Sequence, residues 1–306
     1  ASGEGGLISK FYLSDLSDKD KPWDKHRSET DIVASLYQDV DYERHVERLD
    51  SCSQRLLFAV GNEGNFNLEA ARFCRVRNCP TCQWRRQLMW KARFHKALPE
   101  IETKYPRHRW ILLTLTVKNC AIAELRETVN HMNRSWKRLI ERQNFPGAGF
   151  IRSTEVTRNE NDGSAHPHFH ALLLVKGGYF KGKGYLKQAD WTELWRQCLK
   201  IEYTPVVNVK AVKDLNGAAK EVLKYTVKPA DLIADSYWLM ELTKQLHKTR
   251  AVSVGGVLKE CFSDEEPTDQ ELIHGEETDK EISENDPRFI ADWQKKKQRY
   301  EGVFRE

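Results

Sequence analysis

Residues 164–172 read SAHPHFHAL, with His166, His168 and His170 set between a polar loop and an apolar run. Side chains alternate along a strand, so a strand here puts His168 and His170 on one face and Phe169, Ala171 and Leu173 on the other. Their backbones would stand about 7 Å apart along the strand, close enough for both imidazoles to converge on one cation. The segment before them, FIRSTEVTR (150–158), is joined through the polar loop NENDGSA and reads as the antiparallel partner of a hairpin. Its one internal carboxylate is Glu155. Two imidazoles and a carboxylate with open positions suit Mg²⁺ or Mn²⁺ and tolerate a substrate phosphate as an added ligand. Zinc is the other option, since imidazole favours it. His166, just before Pro167, reads as a loop histidine at the strand's mouth.

A second group lies in KEVLKYTVK (220–228). On a helix Glu221, Lys224, Tyr225 and Lys228 follow i, i+3, i+4, i+7 and share a face. One reading is an exposed face with ordinary Glu–Lys pairs. The other is chemical: lysines stabilise a phenolate or the phosphate it attacks, and a carboxylate one turn away orients or deprotonates water.

A third group is cysteine. CRVRNCPTC has C-x4-C-x2-C spacing through Cys74, Cys79 and Cys82, and Cys52 lies 22 positions earlier. Two thiolates in a Cys-Pro-x-Cys turn can hold one metal, so a structural zinc ion is expected on Cys52, Cys74, Cys79 and Cys82. His95 could complete the set in place of Cys52. Cys120, Cys198 and Cys261 are scattered and read as packing residues. The following stretch, QWRRQLMWKARFHKAL (83–98), is a basic helix whose Arg85, Arg86, Lys91 and Arg93 are expected to contact DNA phosphate, with a solvated structural brace as the alternative.

These groups need elements to position them. RWILLTLTV (109–117) reads as a strand, and Ile122, Leu125, Val129, Met132, Trp136 and Leu139 as the apolar stripe of a helix. Strands follow at 150–158 and 167–175, a helix at 188–200, a strand at 204–212 and a helix at 217–228. The order β-α-β-β-α-β-α is close to the split βαβ of ferredoxin-like folds. The expected fold class is therefore α+β, with a central antiparallel sheet and a small Cys-rich zinc-binding region. The loop KGGYFKGKGYLK (176–187) sets Tyr179, Phe180 and Tyr185 among Lys181, Lys183 and other lysines, a mixture suited to base stacking and phosphate contact, or simply to a soluble loop. The expected division is a peripheral N-terminal arm at 1–50, the Cys-rich and basic-helix region at 51–104, a catalytic domain at 105–260, and an acidic tail at 261–306. That tail has disorder-like composition over 262–287 and a terminal helix from Pro287.

The 306 residues carry 49 Lys and Arg against 45 Asp and Glu, a net charge of +4. Between Asp264 and Asp286 stand 11 acids and one base, Lys280, and the rest of the chain carries +14. A basic body with an acidic tail points to a polyanion partner. No apolar run approaches the roughly 18 residues of a membrane span, and ASGEGGLISKFYLSD lacks the apolar core of a secretory signal. A cytoplasmic protein is expected.

HPHFHAL (166–172) resembles the His-hydrophobic-His motif of the HUH endonuclease superfamily. KYTVK (224–228) matches its Tyr-x-x-Lys motif, and LLTLT (112–116) resembles its first motif. The histidines precede the tyrosine, as in replication initiators; conjugative relaxases have the reverse order. With Glu221 four residues before Tyr225, and with FCRVRNCPTCQWRR upstream, the chain is similar to single-tyrosine plasmid rolling-circle initiators over roughly residues 50–260. The resemblance implies an HUH topology of the split βαβ (ferredoxin/RRM-like) kind, with His168, His170 and Glu155 as metal ligands. It makes Tyr225 the nucleophile, Lys228 the motif lysine and Glu221 the activator of water at termination. It also implies nicking and rejoining of single-stranded or hairpin origin DNA through a 5′-phosphotyrosine, a 3′-OH primer, contact of Lys224 with DNA, and a host helicase partner. An HUH transposase acting on transposon ends shares this chemistry. A non-catalytic zinc-dependent DNA-binding regulator needs only the cysteines and the basic helix.

Overall fold

The computed structural model describes residues 9–61, 63–224, 227–263, 265–274, 283 and 285–305. A short strand β1 (Phe11–Tyr12) leads into helices α1 (Leu13–Leu16), α2 (Pro22–Gln38) and α3 (Glu43–Asp50). Strands β2 (Arg55–Val60) and β3 (Phe66–Ala71) precede the long helix α4 (Pro80–Lys104). Next come β4 (His108–Thr116), α5 (Leu125–Ile140), β5 (Gly147–Arg158), β6 (Ala165–Lys176), α6 (Gln188–Leu199) and β7 (Val207–Ala211). Helices α7 (Leu215–Val222), α8 (Pro229–Leu232) and α9 (Ser236–Gln245) then lead to β8 (Val252–Gly256). Helix α10 (Asp269–Ile273) and strands β9 (Arg288–Gln294) and β10 (Arg299–Arg305) close the chain. The architecture is α+β, with two antiparallel five-stranded sheets in two compact units, Ala1–Met89 with Pro267–Glu306, and Trp90–Glu266.

In the Trp90–Glu266 unit the sheet order is β7-β4-β6-β5-β8. Leu113 and Leu115 of β4 and Phe169, Ala171 and Leu173 of β6 face one way and form a single buried cluster with Met132, Trp136 and Leu139 of α5 and Trp191 and Trp195 of α6. Alternation turns Thr114, Thr116, His168 and His170 to the opposite face. The four strands and two helices expected in 105–212 form within a few residues of their anticipated bounds; the sequence reading has no counterpart of β8, which pairs with β5.

The helix expected over 217–228 is broken. Helix α7 stops at Val222, and Lys228 is extended (φ −65°, ψ 141°) as the residue before α8. Pro229 accounts for the extended backbone at Lys228, because its ring disfavours helical backbone at the preceding residue. Lys228 therefore does not continue the face that carries Glu221.

In the other unit the sheet order is β1-β10-β9-β2-β3. The terminal helix expected from Pro287 is instead the β9–β10 hairpin. Burial alternates along β9 through Phe289, Ala291 and Trp293, and Trp293 pairs across to Tyr300. The N-terminal segment is not peripheral to its unit: Leu13, Trp23, Val33, Tyr37 and Leu49 are fully buried, and Trp23 meets the rings of Trp84 and Tyr300 edge-on. Part of the acidic stretch is ordered as α10. There Thr268 and Glu271 each accept the other's backbone N–H, a reciprocal cap that fixes the helix start. Residues 264, 275–282 and 284 of that stretch lie outside the described residues.

Strand β8 ends at Gly256 with φ +62° and ψ −147°, a region open essentially to glycine, and a Cβ there would collide with the Ala148 carbonyl. Gly256→Ala is expected to cost about 2 kcal/mol or more, measured as a lower urea midpoint. Gly178→Ala, with nothing within 4 Å of the added carbon, should stay within about 0.5 kcal/mol of the parent.

Candidate active site

The register of β5 on β6 builds the site. Glu155 lies directly across from His168, and Ser153 from His170, so the carboxylate reaches both rings from the neighbouring strand. Its Oε2 is 3.0 Å from His168 Nε2 and 2.9 Å from His170 Nε2. Glu155, His168 and His170 are all buried. A third donor arrives from beyond α7, where Lys224 Nζ stands 2.8 Å from the same Oε2 and 2.7 Å from Glu221 Oε1. Glu221 Oε1 is also 3.7 Å from His170 Nε2. Burial by itself would raise the Glu155 carboxyl, but the hydrogen bonds from His168, His170 and Lys224 outweigh it and hold the group well below the usual carboxylate range. Burial lowers the Lys224 ammonium, and its bonds to Glu155 and Glu221 more than reverse this, so it stays charged.

These residues fit a divalent cation. The ligand atoms of Glu155, His168 and His170 lie within 4.8 Å of one another. Adjacent ligands about 2.1 Å from an octahedral ion stand about 3.0 Å apart, which is the spacing of the carboxylate oxygen from each Nε2. The outer nitrogens agree. His168 Nδ1 faces the His166 carbonyl at 3.3 Å, an acceptor, so a proton kept on Nδ1 leaves Nε2 able to ligate an ion that takes the place of its hydrogen bond to Glu155. His170 Nδ1 has Thr114 Oγ1 at 3.1 Å, a hydroxyl that orients the ring.

Glu155, His168, His170, Glu221 and Lys224 thus meet at one place. Tyr225 lies outside the described residues. Lys228 is exposed. His166 sits inside β6 rather than in a loop, 2.8 Å from Asn119 Oδ1 through its Nδ1. Thr114, inside LLTLT but not singled out as a site residue from sequence, meets His170, and its alternation with Leu113 and Leu115 already put its hydroxyl on the histidine face. Of the loop aromatics, Tyr179 is buried, its hydroxyl donating to the Leu186 carbonyl and accepting from Trp191 Nε1, and Phe180 packs against the core. Tyr185 remains exposed, as do Lys181 and Lys183.

The other unit holds the cysteine cluster. Cys52, Cys74, Cys79 and Cys82 are buried free thiols. The sulfur separations are 3.7 Å for Cys52–Cys79, 3.6 Å for Cys52–Cys82 and 3.6 Å for Cys74–Cys82. Four sulfurs about 2.3 Å from one zinc ion stand about 3.8 Å apart, whereas a disulfide needs about 2.05 Å. With Cys52 in the cluster, His95 is not needed to complete it. Backbone N–H groups of Cys74, Val76 and Cys82 point at sulfurs, and Pro80 starts α4 between Cys79 and Cys82, so the positive end of a helix faces the thiols. Burial opposes ionisation of Cys79, yet the bonds from the other three thiols hold it well below its ordinary value.

The expectation that Arg85 meets DNA phosphate is corrected. Arg85 is buried, its Nε and Nη2 each 2.7 Å from the carbonyls of Leu272 and Ile273 at the end of α10, with the guanidinium against the rings of Trp23 and Trp84. Arg86 donates to the Arg75 carbonyl at 3.3 Å and stays partly exposed. In its own unit, Arg93 donates to the carbonyls of Ser263 and Glu265 and lies over Trp90. Lys91 is partly exposed.

Over residues 65–301 the sequence matches a family described as replication protein. It is 33% identical over 297 residues to Protein rep of Streptococcus pneumoniae serotype 2 (strain D39 / NCTC 7466), covering 92% of each chain. Protein rep of Lentilactobacillus hilgardii is 32% identical over 314 residues, covering 96% of this chain and 99% of that one. A Replication protein of Staphylococcus aureus is 32% identical over 224 residues, covering 67% of this chain and 95% of its own. No solved structure matches.

Arg85→Ala strips two carbonyls of their donor in a buried setting, and about 3 kcal/mol of destabilisation is expected, read from urea unfolding. Arg86→Ala should cost about 1 kcal/mol or less. Wild-type stability in Arg85→Ala, with weaker and less salt-dependent DNA binding, would restore Arg85 to the DNA surface.

Proposed function

The chain belongs to the replication protein family, and from that premise we propose that it is a plasmid rolling-circle initiator, a metal-dependent site-specific nickase and strand transferase acting on origin DNA in the cytoplasm. The observation that carries this reading is the convergence of Glu155, His168 and His170 on one point, beside a lysine that immediately precedes Tyr225. The sheet order β7-β4-β6-β5 supports the split βαβ reading of the same face. The replication names of the relatives favour an initiator over a transposase, and a non-catalytic regulator leaves the buried carboxylate and its two histidines without a task.

Glu155, His168 and His170 would hold Mg²⁺ or Mn²⁺, which supplies Lewis-acid polarisation of a phosphate oxygen. The chain's own residues do the rest. Thr114 and the His166 carbonyl fix the two rings so that both Nε2 atoms face the centre. The Tyr225 oxygen attacks the scissile phosphorus; its O–P bond forms as the bond to the 3′ oxygen breaks, and that oxygen leaves as the 3′-OH primer. The phosphotyrosine keeps the bond energy for rejoining, so no nucleotide cofactor is required. Glu221, partly exposed, would take a proton from water when the regenerated origin is cut at termination. Lys228 is the motif lysine, here exposed at the start of α8.

Lys181 and Lys183 with Tyr185 offer phosphate contact and a stacking ring for single-stranded DNA, and Arg86, Lys91 and Arg93 add basic charge on α4. Among the described residues no helix is long and apolar enough to cross a membrane. The nicked duplex must be unwound for synthesis, which assigns a host helicase as partner. The four cysteines would hold a structural zinc ion.

The test of the chemistry needs no known origin. The protein is incubated with a random single-stranded DNA library and Mn²⁺, and covalent adducts are mapped by mass spectrometry. An adduct on Tyr225 is expected, absent from Tyr225→Phe and His168→Ala and abolished by chelator. Tight metal-independent DNA binding with no adduct would leave the regulator instead. For the cysteines, native mass spectrometry should find one zinc per chain, lost in Cys79→Ser together with a fall in melting temperature. A metal-free wild type with the same melting temperature in strong chelator would defeat the zinc assignment.

A further inference from the structure

We propose that Lys224 is a positioning residue that serves as an internal counter-cation for Glu155, competing with the divalent ion for one carboxylate oxygen and passing to Glu221 when the ion enters. The inference rests on the metal reading of Glu155, His168 and His170.

Three nitrogens meet one oxygen. Glu155 Oε2 lies 3.0 Å from His168 Nε2, 2.9 Å from His170 Nε2 and 2.8 Å from Lys224 Nζ. An ion held by both imidazoles and this oxygen takes the place of the imidazole hydrogen bonds but would share the oxygen with the Lys224 ammonium. Two positive charges at contact distance on one atom repel, so ion and ammonium compete for it. The imidazoles are themselves ligands, held from behind by Thr114 and the His166 carbonyl, and they stay. Lys224 is the partner with somewhere else to go, since its Nζ already lies 2.7 Å from Glu221 Oε1.

The chain is built to deliver this ammonium. Helix α7 ends at Val222, Leu223 is buried as the anchor of the turn, and the next side chain reaches the sheet. The Glu155 side chain is only 3% exposed, and an unpaired carboxylate at such a site would be strongly destabilising, so a resident cation keeps the site folded before any ion arrives. Glu221, at 43% exposure, sits at the open side and can hold the lysine without that penalty. Entry of the ion therefore moves a positive charge from the buried acid to the exposed one, at the residue next to Tyr225.

Binding of Mn²⁺ alone to the full-length protein tests this by titration calorimetry and by the loss of the free-ion electron spin resonance signal. Lys224→Met removes the competitor and should bind Mn²⁺ on the order of tenfold more tightly than wild type. Lys224→Arg keeps a cation and should bind within about twofold of wild type. A merely structural lysine predicts unchanged or weaker binding in Lys224→Met, and that result would overturn the proposal while wild-type binding, removed by His168→Ala, leaves the metal reading intact. If wild type and His168→Ala bind Mn²⁺ equally, the metal site is refuted and this inference falls with it. Thermal melting checks that each variant is folded, and Lys224→Gln replaces Lys224→Met if the latter is not.

Discussion

One carboxylate oxygen in the middle of a sheet sets the terms for everything around it. Glu155 is buried, and its charge is tolerable only because two imidazoles and an ammonium meet it. Those partners are present only if β5 and β6 pair in the observed register. A slip of one residue would turn the carboxylate to the helix face and the histidines away from it. The register is held from the other side of the same strands. Phe169, Ala171 and Leu173 lock into the cluster with Trp136 and Trp195, so packing on one face fixes chemistry on the other. Even the cation on the packed face is used in this way: Arg152 lies 4.0 Å from the Phe169 ring centre and donates to Asn133 at 2.7 Å, with burial pushing its guanidinium down to about 9.

The other unit solves a different problem. Its sheet begins with a two-residue strand and is completed by a hairpin from the far end of the chain. Such a sheet needs ties between distant segments. Tyr300 donates to the Ser53 carbonyl at 2.6 Å, one residue after Cys52, and Trp293 Nε1 donates to Asp31. Thr30 meets both Thr81 and the Cys79 sulfur, which joins α2 to the start of α4. The thiol cluster thus sits where α2, the approach to β2 and the head of α4 converge. A metal held there would tie Cys52, before β2, to Cys74, Cys79 and Cys82 at the head of α4, with α2 touching the cluster through Thr30.

The legible parts of the sequence were those where one local rule decides. Alternation with a single internal carboxylate was enough to bring Glu155 to His168 and His170, and the Cys-Pro-x-Cys spacing was enough for two of the four thiols. The failures come where two rules compete. FIADWQKKKQRYEGVF places Phe289, Trp293 and Tyr300 at distances that suit either a helix or a hairpin. The Trp293–Tyr300 cross-strand pair and the turn at Gln298, with φ +52°, decide for strands, and both depend on a sheet contributed by residues 55–71. The 217–228 segment kept an unbroken helical pattern, yet Pro229 just past its end opens the backbone at Lys228.

Charge was the least legible property, because a formula charge does not say where a cation resides. Arg85 looks like a phosphate contact in a basic helix, but it closes the carbonyl end of α10 and stacks on tryptophan. Lys224 looks like one more basic residue in KYTVK, but it stands between two acids at the centre of the site. Each has one neighbour close in sequence, Trp84 or Glu221, and a decisive partner that only the fold brings close: the α10 carbonyls for Arg85 and Glu155 for Lys224. The positive charge that can meet a polyanion is accordingly smaller than the +14 of the body, and exposed lysines such as Lys181 and Lys183 carry it beside the exposed ring of Tyr185. The buried cations act instead on the protein's own carbonyls and carboxylates, which is how a basic chain keeps a negative charge where a divalent ion needs one.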